Sequence, residues 1–300
     1  MATVFCVGVA VQDFIYFVDE LPRAAEKYRA SDFQSVGGGC AATAAVAVAR
    51  LGGDARLAAR LGDDLLADLI VSELEGYGVD CAAMHRFAGR QSSISSIFVD
   101  RAGERLIMNF RDETLPSSDD DLPDPLPRDV DAVLADTRWA GGGIDMLRRA
   151  EAAGKPRILD GEPPFEGCQE LFALSTHIVF SAQGLQELGG TSDFAAGMKR
   201  VGAMTGAWLA VTDGANGVYY LDDGGMIHAA APQVDAVDTV GAGDTWHGAF
   251  ALALAESRPE AEAVAFANAA ASLKCTRRGG RAGVPDRAEV DAWLMEHASP

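Results

Sequence analysis

Residues 238–247 read Asp-Thr-Val-Gly-Ala-Gly-Asp-Thr-Trp-His, and the chemistry they suggest is the handling of a phosphoryl group. Gly241, Ala242 and Gly243 stand just before Asp244 and open the apolar run Trp246–Ala255. Such small residues let the backbone turn tightly, so that several N–H groups converge on one oxyanion at the positive end of a helix. A carboxylate one residue away is placed to accept the proton of an attacking hydroxyl, the combination that phosphoryl transfer uses. The helix N-terminus is expected to lower the pKa of Asp244 and keep it ionised at neutral pH. Taken alone, the run also fits a first-turn acid that stabilises the helix dipole by about 0.3–1 kcal/mol. His247, one turn further on, reads as packed rather than catalytic.

Groups of this kind need a scaffold. Short β-branched runs at Phe5–Val11, Arg56–Leu61, Ala132–Asp136, Arg157–Asp160, His177–Ser181, Trp208–Thr212 and Val218–Leu221 read as strands. Helical patterns at Ala42–Leu51, Leu65–Tyr77, Ile144–Ala153 and Phe194–Met204 alternate with them. The alternation predicts an α/β fold, a mainly parallel sheet with helices on both faces and ligands beyond the carboxyl ends of its strands. Two stretches break the pattern. Residues 14–36 are polar and extended, and residues 92–111 form a hairpin that turns at Arg101–Glu104, so the two predict a small β lid on a single domain spanning 1–300, with an ordinary sheet edge as the alternative. Residues 112–129, acidic and rich in proline, read as a surface connection.

The composition limits what the chain binds. Lys+Arg of 25 against Asp+Glu of 44 gives a net charge of −19, which disfavours nucleic acid and acidic membranes as partners. Cysteines 6, 40, 81, 168 and 275 are odd in number and show no CxxC spacing, which argues for a reducing compartment over a disulfide framework or structural zinc. The opening MATVFCVGVAVQD reads as a first strand, and the apolar run after Gly39 stops at Arg50, too short for a bilayer span. A cytoplasmic location is expected.

Asp238-Thr239-Val240-Gly241-Ala242-Gly243-Asp244 resembles the C-terminal signature of the ribokinase-like (PfkB) carbohydrate kinases. The likeness runs through the whole chain. Gly8 and Asp13, Gly37-Gly38-Gly39, Ala49-Arg50-Leu51-Gly52 and Gly62-Asp63-Asp64 look like the N-terminal half, and Thr212-x-Gly214-x-x-Gly217 like the nucleotide loop. The resemblance implies ATP and Mg2+ as cofactors, with Asp244 as base and the Gly241–Gly243 amides as anion hole. Asp13, Gly38 and Gly39 would contact sugar hydroxyls. Thr212, Gly214, Gly217 and Asn268 would line the nucleotide site, and the lid would also form a homodimer interface. Two positions depart from the family. Ser181-Ala182-Gln183-Gly184 stands where NxxE is usual, leaving the metal ligands unassigned, with Asp160 and Glu162 able to help through water. Thr43 replaces the customary sugar-binding Asn.

Within the family, VGGGCAATAAVAVARLG, RLIMNF, VLADTRW and LKCTRRGGRAGVPD resemble the branch that phosphorylates 6-deoxy-6-sulfofructose at O1 in sulfoglycolysis. That branch grips the sulfonate with Lys, Asn and Arg, at the positions of Lys27, Asn109 and Arg138. Two cations and an amide suit a singly charged sulfonate better than a phosphate of roughly −1.5 to −2. Trp139 is expected to brace Arg138 or line the pocket. The basic run 274–281 reads equally as a guide for nucleotide phosphates or a solvated turn. A kinase of an ordinary ketohexose or its phosphate, and a non-catalytic sensor on the same fold, are the competing readings.

Overall fold

The computed structural model describes residues 1–117, 121–222 and 224–297. Its strands are β1 Thr3–Val7, β2 Val11–Phe17, β3 Asp32–Gly38, β4 Asp54–Gly62, β5 Asp80–Phe87, β6 Ile94–Val99, β7 Arg105–Phe110, β8 Ala132–Asp136, β9 Arg157–Gly161, β10 His177–Ser181, β11 Trp208–Thr212, β12 Val218–Asp222 and β13 Gly225–Ala229. The helices are α1 Cys40–Arg50, α2 Leu65–Gly76, α3 Ala140–Ala152, α4 Gln169–Leu174, α5 Ala182–Gly189, α6 Phe194–Gly202, α7 Ala242–Ala255, α8 Glu260–Cys275 and α9 Arg287–His297.

A nine-stranded sheet runs in the order β13-β12-β11-β10-β9-β8-β1-β4-β5, parallel from β11 to β5, with the last two strands added antiparallel at one edge. Strand alternation divides the core into two layers. On β1, Val4 and Cys6 face α1, α7 and α8, whereas Phe5 and Val7 face α3 and α4; β8 repeats this with Ala132 and Leu134 against Val133 and Ala135. Burial on both faces explains why these strands read as continuous apolar runs. The parallel register sets Asp136 beside Asp160 and Ser181 beside Thr212, so one edge of the sheet collects the ends that matter.

The two insertions form a separate four-stranded sheet, β3-β2-β6-β7. The first strand is shorter than its apolar run predicts: it ends at Val7, and Val11 already belongs to the lid. The reason lies at Gly8, whose Cβ position would fall 2.1 Å from a carboxylate oxygen of Asp136. The Val9 amide donates to that oxygen instead, turning the chain out of the sheet. Of the connection at 112–129, residues 118–120 lie outside the described residues; Leu115, Leu122 and Leu126 are buried, so the segment is anchored rather than merely superficial. All five cysteines are free thiols. Among the described residues no helix is long and apolar enough to cross a membrane.

Candidate active site

Asp244 lies in the first turn of α7, preceded by Gly241 with φ 73°. Any L side chain would be strained there, so glycine is what allows the loop to enter the helix at this angle. Asp238 fixes the loop from behind. Its carboxylate accepts from the amides of Val240 (2.9 Å), Gly279 (3.0 Å) and Gly280 (3.2 Å). Lys274, fully buried, donates to the Asp238 carbonyl at 2.8 Å. Burial pushes Asp238 upward, but the amide bonds and Lys274 prevail and hold it below the usual carboxylate range. The Ala242 amide is turned back onto the Thr239 carbonyl at 3.2 Å, which leaves exposed Gly243 as the open end of the helix.

The expected ionisation of Asp244 is overturned. Burial of the carboxyl group, and then the charge of Asp160, push its pKa up to about 7, against the smaller pull of His247 and Arg281. The helix-end argument is local, whereas desolvation and a neighbouring carboxylate are tertiary and larger. His247 is buried as expected, its Nδ1 2.9 Å from the Gly243 carbonyl and its Nε2 3.2 Å from that of Val179.

On one side of Asp244 opens a cavity of about 310 Å³ lined by Thr212, Gly214, Gly217, Ala242, Gly243, Trp246, Asn268 and Cys275 among others. All four residues expected at the nucleotide therefore share one wall with the helix end. Asn268 has its amide engaged, accepting from Trp246 Nε1 (2.8 Å) and donating to the Ala229 carbonyl (3.1 Å), so it shapes the wall.

On the other side lies a smaller cavity of about 150 Å³, lined by Gly39, Cys40, Ser93, Ser95, Asn109, Arg111 and Arg138 with neighbouring apolar residues. Asn109 and Arg138 converge here. Lys27 does not line this cavity; it is exposed in the β2–β3 loop. Arg111 joins instead, donating weakly to the Arg138 carbonyl at 3.4 Å, a cation that sequence reasoning did not single out. Its signal was its alternation with Asn109 beside the strand end. Trp139 braces neither arginine: its indole donates to the Ser117 carbonyl at 2.9 Å and its ring lies under Arg60.

The floor between the cavities is set by close approaches. A Cβ on Gly38 would sit 2.1 Å from Asp13, and one on Gly39 2.4 Å from the Val9 carbonyl. Asp13 is raised by burial and eased by a hydrogen bond from Ser95 and the charge of Arg281. Arg281, 2% exposed, donates to the Gly38 carbonyl (2.6 Å) and to the Thr43 hydroxyl (3.2 Å). Buried Lys274 and Arg281 thus replace the expected phosphate guide or solvated turn with two internal clamps. Asp136, equally unforeseen, accepts from the amides of Val9 (2.8 Å), Ala41 (3.2 Å) and Arg138 (2.8 Å) and ties three segments together. Where NxxE is usual, Ser181 caps α5 through the Gly184 amide (3.0 Å), and Gly184 leaves room for the Gly161 carbonyl.

A family model, pfkB family carbohydrate kinase, matches residues 1–287, and the chain belongs to that family. It is an ATP-dependent carbohydrate kinase. A crystal structure from Agrobacterium tumefaciens, provisionally assigned as a ribokinase, is 37% identical with a TM-score of 0.92 over 98% of both chains. The ribokinase of Bacillus subtilis is 28% identical, spanning 98% of this chain and 100% of its own. Arabidopsis thaliana ribokinase, solved with ribose and ATP, is 26% identical with a TM-score of 0.83 over 98% of both.

Proposed function

We propose that this kinase phosphorylates a ketohexose bearing an anionic group at the end remote from the reacting hydroxyl, with 6-deoxy-6-sulfofructose, phosphorylated at O1, as the substrate. The observation that carries this reading is the small cavity. Arg111, Arg138 and Asn109 share it with the hydroxyl-bearing Ser93 and Ser95, and among the described residues no carboxylate comes within ion-pairing distance of either arginine. Two guanidinium groups lining one small cavity give it a positive potential, which favours an anion there.

In this reading the sugar lies between Asp13 and Asp244. Asp244, in its ionised form, accepts the proton of the attacking hydroxyl, and the amides at the start of α7 hold the moving phosphoryl group. The larger cavity receives the adenine and ribose of ATP. Mg2+, bound with the nucleotide, supplies charge neutralisation. Asp160 and Glu162 would help hold it through water, as oxygen ligands of the kind Mg2+ takes. The exposed apolar side chains of the lid, Phe33, Ile107, Met108 and Phe110, support pairing with a second copy through that sheet.

A coupled assay comparing 6-deoxy-6-sulfofructose, fructose 6-phosphate, fructose and ribose tests the reading. Selectivity for the sulfonate is expected in kcat/KM. Equal turnover of fructose 6-phosphate would remove the sulfonate claim, and preference for ribose would remove the anion subsite altogether.

A further inference from the structure

Beside Asp244 stand groups that a kinase reaction does not require as a set. Cys40, Asp160 and Asp244 each present one ligand atom, and these atoms all lie within 4.8 Å of one another. They are brought together by three elements. Cys40 opens α1, Asp160 lies near the end of β9, and Asp244 sits in the first turn of α7. The helices are locked at close range, since a Cβ on Gly248 of α7 would meet the Ala44 carbonyl of α1 at 2.3 Å.

Asp160 supplies the independent sign that something is to be held. It is 3% exposed, and its Oδ1 accepts no hydrogen bond. The nearest basic group, His247 Nε2, is 3.5 Å away and is also turned to the Val179 carbonyl. A buried carboxylate oxygen without a partner is costly, and a cation is the direct remedy. A cation placed among the three would meet one sulfur and two carboxylates, and metal binding displaces a thiol proton.

We propose that Cys40, Asp160 and Asp244 form an inhibitory site for a thiophilic divalent cation, Zn2+ or Cd2+, which occupies the base and stops the kinase. Inhibition rests on the reading of Asp244 as base; binding does not. The thiol selects the class of ion, because Mg2+ and Ca2+ take oxygen ligands, whereas thiolate favours zinc-like ions. Zinc bonds to thiolate at about 2.3 Å and to carboxylate at about 2.0–2.2 Å, so rotations of the three side chains close them around one ion. Cys40 loses its proton to solvent as the sulfur–metal bond forms, and no atom changes oxidation state. Cys40 lines the smaller cavity, which gives the ion its way in and makes sugar and cation competitors.

The experiment titrates the full-length protein with Cd2+, following the ultraviolet charge-transfer band of the cadmium–thiolate bond, in parallel with turnover under excess Mg2+. Wild type is expected to give one band per chain and loss of activity, both relieved by chelation. Cys40→Ser should abolish the band and raise the inhibitory concentration of Zn2+ by at least the roughly 10–100-fold that weaker ligand sets show, relative to its own metal-free rate. Cys275→Ser, in the nucleotide cavity, should keep both responses. A band that survives Cys40→Ser, or is lost in Cys275→Ser, overturns the site. A Cys40-dependent band without inhibition keeps the site and refutes Asp244 as base.

Discussion

The two cavities that flank Asp244 are built on opposite plans. The larger one, proposed for the nucleotide, is finished before any ligand arrives: Asp238 pairs with Lys274 and Trp246 with Asn268, beside an apolar slot that reaches the Gly243 helix start. The sugar side is unfinished. Asn109 and Arg111 are exposed at the end of β7, next to exposed Ile107 and Met108, and Arg111 makes only the long hydrogen bond to the Arg138 carbonyl. A site shared by every ATP-dependent relative gains from being preorganised, whereas the side that distinguishes sugars is left to be completed by the right one.

The contrast is broken most severely at Asp244, whose neighbours Gly243 and Cys40 line one cavity each. Asp244→Asn is expected to lower kcat by about 10²–10⁴-fold, with far smaller changes in the KM of either substrate. Because its pKa is raised to about 7, the basic form of Asp244 grows as pH climbs through neutrality. Wild-type kcat should therefore rise about tenfold per pH unit on the acid side and level off above pH 7, and Asp244→Asn should lose that limb. A profile flat from pH 5 to 8 would show that another group limits the rate.

On the unfinished side, Arg138→Ala and Arg111→Ala should each raise the KM for the anionic sugar by about 10–100-fold, the weight of a charge-assisted hydrogen bond, while the KM for ATP stays put. Equal losses for both substrates would mean that the arginines do not form an anion subsite. Arg281→Lys tests whether the floor is held by shape as well as charge, since a lysine cannot reach the Gly38 carbonyl and Thr43 together. A several-fold rise in sugar KM with little change in kcat is expected, and Gly37→Ala should mimic it, because its Cβ would fall 1.9 Å from the guanidinium.

On the finished side, the Cβ of Gly243→Ala meets nothing in the protein within 4 Å, so it should leave thermal stability within about 1 kcal/mol of wild type and still weaken ATP binding measured by calorimetry. The smallest effect belongs to Ser181→Ala, which removes a helix cap worth about 1 kcal/mol. A lowered Tm with unchanged metal dependence would assign Ser181 to the helix alone; altered Mg2+ activation would return it to the nucleotide site.

The finished side was also the legible one. Glycines, the acid beside them and the strand-end threonine are all local in sequence, and local patterning is what a sequence displays. The sugar side depends on contacts such as Arg281 with Thr43, 238 residues apart, and no spacing rule reaches that far. For the same reason the sequence reading left Lys274 and Arg281 between a phosphate guide and a solvated turn, and gave Asp136 no role. Asp244 does open the helix as read, but its ionisation was misjudged, because its burial, and then the charge of Asp160, arise only when the sheet and α7 pack together. The lid hairpin was readable from its turn and alternation; which polar groups line the smaller cavity was only half so, Asn109 and Arg138 converging there while Lys27 stays in its loop.

Gly8 and Asp136 carry an evolutionary consequence. The carboxylate fills the space that any side chain at position 8 would need, and it gathers amides from three segments 127 and 95 residues apart. Neither residue can drift alone: a larger residue at 8 expels the acid, and loss of the acid takes the acceptor from three amides, that of Ala41 buried. Descendants of this chain should therefore keep both or exchange both in one lineage, so that the pair serves as a marker of common descent even where the sugar-facing residues have been rewritten.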